Sequence, residues 1–265
     1  MKHEESQGGE LPSVGLNTGE PLRKFFPSLS HPWRVTYEEA AAIQRQLATL
    51  VLIEPYQLRE GRTYELGAGV DASYSKDGTR LWAAAVVMDR YFRTVAASVV
   101  AGEPDLPYIS GYLAFREGRA LLEALSRLRV RPDVVFVDGH GIVHERGLGL
   151  ASHIGVLSGL PAVGVPKTPF HAIDRQPEQK RGSYYVLTKE WGAQGAVLRL
   201  KSGVKPVYVS PGHLVDLKSA IELCLAWSTG RRRVPEPLAA AHTLSVQARN
   251  GQLEMAADCW AGDSD

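Results

Sequence analysis

The chain has 265 residues, enough for one large domain or a domain with appendages, and its 44% hydrophobic content supports a substantial core. Lys plus Arg number 30 against 29 for Asp plus Glu, so no global field draws polyanions and any nucleic-acid contact must use local patches. The N-terminus lacks the apolar core of a signal peptide, no run of about 18 apolar residues occurs, and Cys224 and Cys259 form no CxxC pair, so export, a membrane span and thiolate zinc are all disfavoured and a soluble cytoplasmic protein is expected.

Residues 1–33 are rich in Gly, Ser, Pro and charge, with scattered apolar residues, and read as a flexible tail. Thr36 and Glu39 make a capping box ahead of Ala40, Ile43, Leu47 and Leu50 at helical spacing, which predicts an amphipathic helix over 36–52. Three strands follow, at 66–75, 80–89 and 92–101, with turns at Asp77-Gly78 and Asp89-Arg90, and an antiparallel meander is expected. After the loop GEPDLPYISGY, a helix over 115–128 carries Leu121, Leu122, Leu125 and Leu128 on one face and ends before Arg131-Pro132. Val134 to Val137 is a β-branched and aromatic run of the kind found in a central parallel strand covered on both faces. Residues 153–160 read as a second crossover helix and 162–165 as a second parallel strand. The segments 184–188 and 196–201 resemble a hairpin, 204–210 is a further strand, and a last helix runs from Asp216 to Gly230. Three meandering strands followed by alternating helix and strand predict an α/β fold: a ribonuclease H-like, mixed five-stranded sheet with helices on both faces.

That topology sets Asp71, on the first strand, beside Asp138, which ends the Val134 to Val137 strand where ligands of open α/β sheets collect. Asp138-Gly139 also reads as a plain turn. Glu117 opens the helix between them, although a helix first turn favours an acid in any case. Carboxylates this close repel unless a cation joins them, and three oxygen donors without thiolates suit Mg²⁺ or Mn²⁺. Gly139, Gly141 and Gly149 let the backbone turn tightly beside a bulky ligand. His213, just before the last helix, is placed to hold a second metal or shuttle a proton. His140 and His144 are four apart, but the intervening glycine disfavours a helical zinc pair. The run Arg231 to Arg233 either binds a phosphate backbone or solvates a helix end.

With these residues placed, the chain resembles the endonuclease V family of DNA repair nucleases from about Thr36 to Pro237. The resemblance is densest at PYISGYLAFRE (107–117), PDVVFVDGHGIVHERGLGLASHIG (132–155), PAVGVPK (161–167) and VSPGHLVDL (209–217). It implies a nuclease domain over 34–237, leaving 1–33 as tail and 238–265 as an unassigned extension. It also implies metal-dependent nicking of DNA at the second phosphodiester bond 3′ to deaminated bases, chiefly hypoxanthine, leaving a 3′-hydroxyl and a 5′-phosphate. By position, Asp71, Glu117 and Asp138 would be the Mg²⁺ or Mn²⁺ ligands, His213 a further active-site residue, and Lys167 the lysine near the scissile phosphate.

Pro107, Tyr108 and Ile109 correspond to the family's strand-separating wedge, with Ser110 where a second proline is customary, and Tyr108 is the residue expected to insert. Gly139, Gly141, Gly149, Arg116 and His144 are expected against the substrate, and Arg116, Arg146, Lys167 and Arg231 to Arg233 near the scissile strand. The expected partner is inosine-containing DNA, double- or single-stranded, met by a monomer with no membrane involved. Two rivals stay open: an inosine-specific ribonuclease acting on RNA, and a non-catalytic binder of deaminated DNA.

Overall fold

The computed structural model describes residues 20–58, 66–170, 175–188 and 194–253. Thr36 caps helix α1 (Tyr37–Ala48) through the reciprocal box with Glu39 that the sequence predicts. The helix stops short of 52, and Leu50, Leu52 and Ile53 beyond it remain exposed. Strands β1 (Leu66–Tyr74), β2 (Leu81–Asp89) and β3 (Thr94–Gly102) form the antiparallel meander. Helix α2 (Leu113–Arg127) leads to β4 (Val134–Val137), parallel to β1, and helix α3 (Leu150–Ser158) leads to β5 (Ala162–Gly164), parallel to β4.

The sheet does not end at five strands. The hairpin β6 (Tyr184–Thr188) and β7 (Gln194–Leu198) and the strand β8 (Val207–His213) join it antiparallel, giving an eight-stranded order β3-β2-β1-β4-β5-β8-β7-β6. The first five positions are the ribonuclease H-like order. The expected count fell short because β5 has an open edge with unpaired backbone groups, and β8 covers it instead of lying apart.

Alternate residues of β4 serve two cores. Val135 and Val137 pack with Ala68, Val70, Leu121 and Ile154 on one face. Val134 and Phe136 pack on the other face with residues of α4 (Leu217–Ala226) and α5 (Glu236–Arg249). Burial on both faces is why this strand reads as an unbroken apolar run.

Two expected boundaries are corrected. Leu22 is 1% exposed in the first core and its N–H bonds the Leu128 carbonyl at 2.8 Å, while Trp33 stacks on buried His153, so residues 20–33 pack on the domain and are not tail. Residues 1–19 lie outside the described residues. At the other end α5, absent from the sequence reading, lies across β1 and β2. Its start sits so close that a Cβ on Gly69 would come within 2.2 Å of the Pro237 carbonyl. The domain therefore continues well past 237, and only 254–265 of that extension, Cys259 included, fall outside the described residues. Among the described residues no helix is long and apolar enough to cross a membrane.

Candidate active site

Parallel pairing sets Val70 opposite Val137, so Asp71 and Asp138 follow at adjacent strand positions at the edge of the apolar core. Glu117 comes from the second turn of α2, which packs on the face that Val70 and Val137 present. The three are electrostatically joined. Burial, with the charges of Asp71 and Asp138 adding, pushes the Glu117 carboxyl up to about 8. Burial also raises Asp138, against the lowering influence of Lys167.

Each carboxylate meets a donor from the protein. Tyr74, at the end of β1, donates to Glu117 at 2.6 Å, and its own ionisation is pushed up by burial and by Glu117. Lys167, beyond β5, pairs with Asp138. Asp71 accepts from Nδ1 of His242 at 2.6 Å, and this hydrogen bond holds the imidazole above its ordinary value. As these side chains stand, no group of three or more His, Cys, Asp or Glu is arranged around a metal position among the described residues. The donor chemistry nonetheless fits a hard divalent ion: three carboxylates, one pushed towards neutrality by burial with the charges of the other two adding.

His213 lies elsewhere. Its Nδ1 accepts from the Leu52 N–H at 3.3 Å, burial lowers its pKa, and its Cβ sits against Gly155 of α3. The histidine brought to Asp71 is His242, in a segment without a recognisable motif. The usable signal was weak: Pro235 and Pro237 as helix-start residues, then Leu238, Ala241, Ser245 and Ala248 at helical spacing with His242 beside the stripe.

Beside Asp138 a cavity of about 260 Å³ is lined by Tyr108, Ile109, Gly139, Gly149, Lys167 and Phe170, among others. Tyr108 is 70% exposed, so it is not an aromatic tucked beneath its loop, and Pro107 beside it is exposed too. Gly139 and Gly149 reach the cavity. Gly141 instead turns to β8, where its N–H bonds Ser210 Oγ at 3.1 Å and a Cβ would meet the Pro211 carbonyl oxygen at 1.9 Å. His144 lines the cavity with both nitrogens engaged: Nδ1 accepts from the Arg146 N–H at 3.1 Å and Nε2–H donates to the Gly111 carbonyl at 3.0 Å. Burial lowers it to about 4, so it is neutral, and a zinc pair with His140 has no free nitrogen on this side. Arg116 is turned away, stacked over Tyr74 at 4.5 Å and bonded to the Leu106 carbonyl at 3.0 Å.

A family model described as Endonuclease V matches residues 45–243. The chain belongs to the endonuclease V family. The Endonuclease V of Kosmotoga olearia is 38% identical over 224 residues, covering 84% of this chain and 96% of that one. The solved Endonuclease V of Streptomyces avermitilis is 39% identical, with a TM-score of 0.76 over 84% of this chain and 97% of that one. The Ciona intestinalis Endonuclease V, solved with a 24mer DNA containing an inosine followed by a ribo-adenosine, is 25% identical, with a TM-score of 0.71 over 82% and 98% of the two chains. As an endonuclease V the protein is a hydrolase of phosphodiester bonds, and the family match reaches position 243, so it includes His242.

Proposed function

We propose that this endonuclease V is a cytoplasmic DNA repair enzyme, acting as a monomer, that nicks DNA at the second phosphodiester bond 3′ to deaminated bases, chiefly hypoxanthine. The observation that carries the reading is the cavity of about 260 Å³, with exposed Tyr108 at its mouth and Asp138 and Lys167 in its wall. An extruded base fits such a space, and a mispaired one costs least to extrude. Tyr108 separates the strands, with Ile109 and Pro107 carrying it, while Gly139, Gly149 and neutral His144 face the base.

Asp71, Glu117 and Asp138 would hold Mg²⁺ or Mn²⁺, which when bound supplies an activated water and charge stabilisation at the leaving oxygen. The residues of the chain do the rest. Lys167 pairs with Asp138, and as the charge beside that carboxylate it would contact the scissile phosphate. His242 donates from Nδ1 to Asp71, which leaves Nε2 to exchange a proton with the substrate. We assign the site histidine to His242 and leave His213 a packing role. Arg116 acts from behind, steadying Tyr74 and Leu106.

The test incubates the protein with matched labelled duplexes carrying inosine in DNA or in RNA, with and without Mg²⁺, and maps the cut. A metal-dependent nick one nucleotide beyond the inosine's 3′ neighbour bond in DNA supports the reading, and Asp138→Ala abolishes it. Cutting confined to RNA makes the protein a ribonuclease, and unchanged nicking by folded Asp138→Ala removes the carboxylate assignment.

A further inference from the structure

The segment that carries Tyr108 is mounted at both ends. Before it, Arg116 Nη1 donates to the Leu106 carbonyl at 3.0 Å. After it, the single carbonyl of Gly111 accepts from Gln44 Nε2 at 2.9 Å, His144 Nε2 at 3.0 Å and Arg146 Nη2 at 2.9 Å. Gly111 has φ +84°, a conformation that L side chains rarely adopt, so this turn is built for the contact. Tyr108 stands exposed between the two mounts.

Gln44 ties the second mount together. Its Oε1 accepts from Arg146 Nε at 2.6 Å, and its Nε2 reaches the Leu148 carbonyl at 3.2 Å as well as Gly111. It is 1% exposed, and it stands on α1, one position before the residues that match the family model. Arg146, held by Gln44, lies over the Tyr112 ring at 4.3 Å, and Tyr112 N–H closes the turn onto the Ile109 carbonyl at 3.1 Å. Fixing one amide thus fixes the guanidinium, the carbonyl and the turn.

We infer that Gln44 is the positioning residue of the strand-separating loop, holding Tyr108 in its inserting geometry before DNA arrives. The inference rests on the proposed wedge role of Tyr108. A loop that must enter a base stack loses binding free energy if it first has to be ordered, so a pre-set mount favours duplex substrates and matters little where the base is already unpaired.

Gln44→Met keeps volume and helix propensity and removes donors and acceptor together. Gln44→Glu keeps an acceptor for Arg146 but sets an oxygen against the two carbonyls. Amide hydrogen exchange on the free protein reads the mount without any substrate: in both variants Tyr112 N–H should exchange at least about tenfold faster, the worth of one buried hydrogen bond, while β4 amides hold. Cleavage then reads the consequence: kcat/KM on an inosine duplex should fall about tenfold, mostly through KM, with an unpaired inosine strand cut within about twofold of wild type. Unchanged Tyr112 exchange in a folded variant overturns the mount, and equal losses on duplex and unpaired strand overturn its part in strand separation. If the wild type cuts neither substrate, the nuclease reading and the loop's role in strand separation fall together, while the exchange result still decides whether the mount exists.

Discussion

Asp71 and His242 are 171 positions apart in the chain and 2.6 Å apart in the fold. Because the imidazole has one nitrogen fixed on Asp71 and the other available for proton exchange, His242→Ala should lower nicking by about 100-fold or more, the usual worth of a positioned acid or base. His213→Ala, which removes a buried ring together with its acceptor for Leu52 N–H, should leave the rate near wild type and lower stability by about 1–2 kcal/mol; kinetics and urea melts of the two variants check both. Glu117 and Asp138 were legible because each lies in a dense local motif, and Asp71 because the strand order sets it beside Asp138, whereas His242 is a lone histidine on a helix and its partner is supplied only by tertiary packing. A second prediction at this scale concerns pH. His144 is held neutral, at about 4 against 6.5 in the unfolded chain, so as pH falls the unfolded chain takes the proton first. Its contribution is complete above 6.5 and is lost as pH falls towards 4, at a slope of about 1.4 kcal/mol per pH unit at most. Other buried histidines add to the wild-type slope, so urea melts at a series of pH values should show a wild-type slope steeper than that of His144→Gln by up to this amount, and equal slopes would mean that the ring is not buried neutral.

At the scale of elements, α5 explains why part of the fold stayed hidden. Its buried face is Leu238, Ala239, Ala241, Ser245 and Ala248, mostly small residues, because the helix lies close against Gly69 of β1. Small residues let two backbones approach but give a faint hydrophobic stripe, so the same packing that positions His242 erases the signal in the sequence. Large residues marked α1 and α2, and those helices were readable to within a few residues. A chain ending at Gly251 should therefore fold and nick DNA. One ending at Pro237 exposes the faces of β1 and β2 that α5 covers and should be insoluble or unfolded by circular dichroism, whatever the metal present. The wedge belongs to this scale too. Tyr108 is exposed in a loop, so Tyr108→Ala should leave the melting temperature unchanged and reduce discrimination between inosine and normal duplex more than it slows cutting of an unpaired inosine strand. Equal losses on the two substrates would make it a general contact and not a wedge.

For the whole molecule, the meander and the parallel β4 and β5 carried enough pattern to give the order of the first five strands, while the antiparallel edge β8-β7-β6 was visible as strands without its place in the sheet. Charge was harder to place, since sequence counts cations without saying what they hold. Lys167, Arg116, Arg146 and the run Arg231 to Arg233 read as a footprint of four to six phosphate contacts, which would give a slope of roughly −4 to −5 in log affinity against log salt. In the fold most of them are engaged. Arg116 and Arg146 hold carbonyls of the wedge loop, Arg232 pairs with Glu236 at 3.2 Å, and Arg233 donates to the Lys167 carbonyl at 2.6 Å and the Pro206 carbonyl at 2.8 Å. Guanidinium groups that fasten loops keep their charge but not their freedom to follow a phosphate backbone. With only Lys167 and Arg231 of the six left to neutralise phosphates, Lys167 itself paired with Asp138, and a formal net charge of +1, the slope should be roughly −1 to −2. Binding of inosine duplex titrated against salt in Ca²⁺, to separate affinity from turnover, reads it directly. A slope as steep as −5 would mean that DNA draws the engaged arginines out of their contacts, and in that case Arg146→Lys, which loses the fork but keeps the charge, would bind with the same slope as wild type.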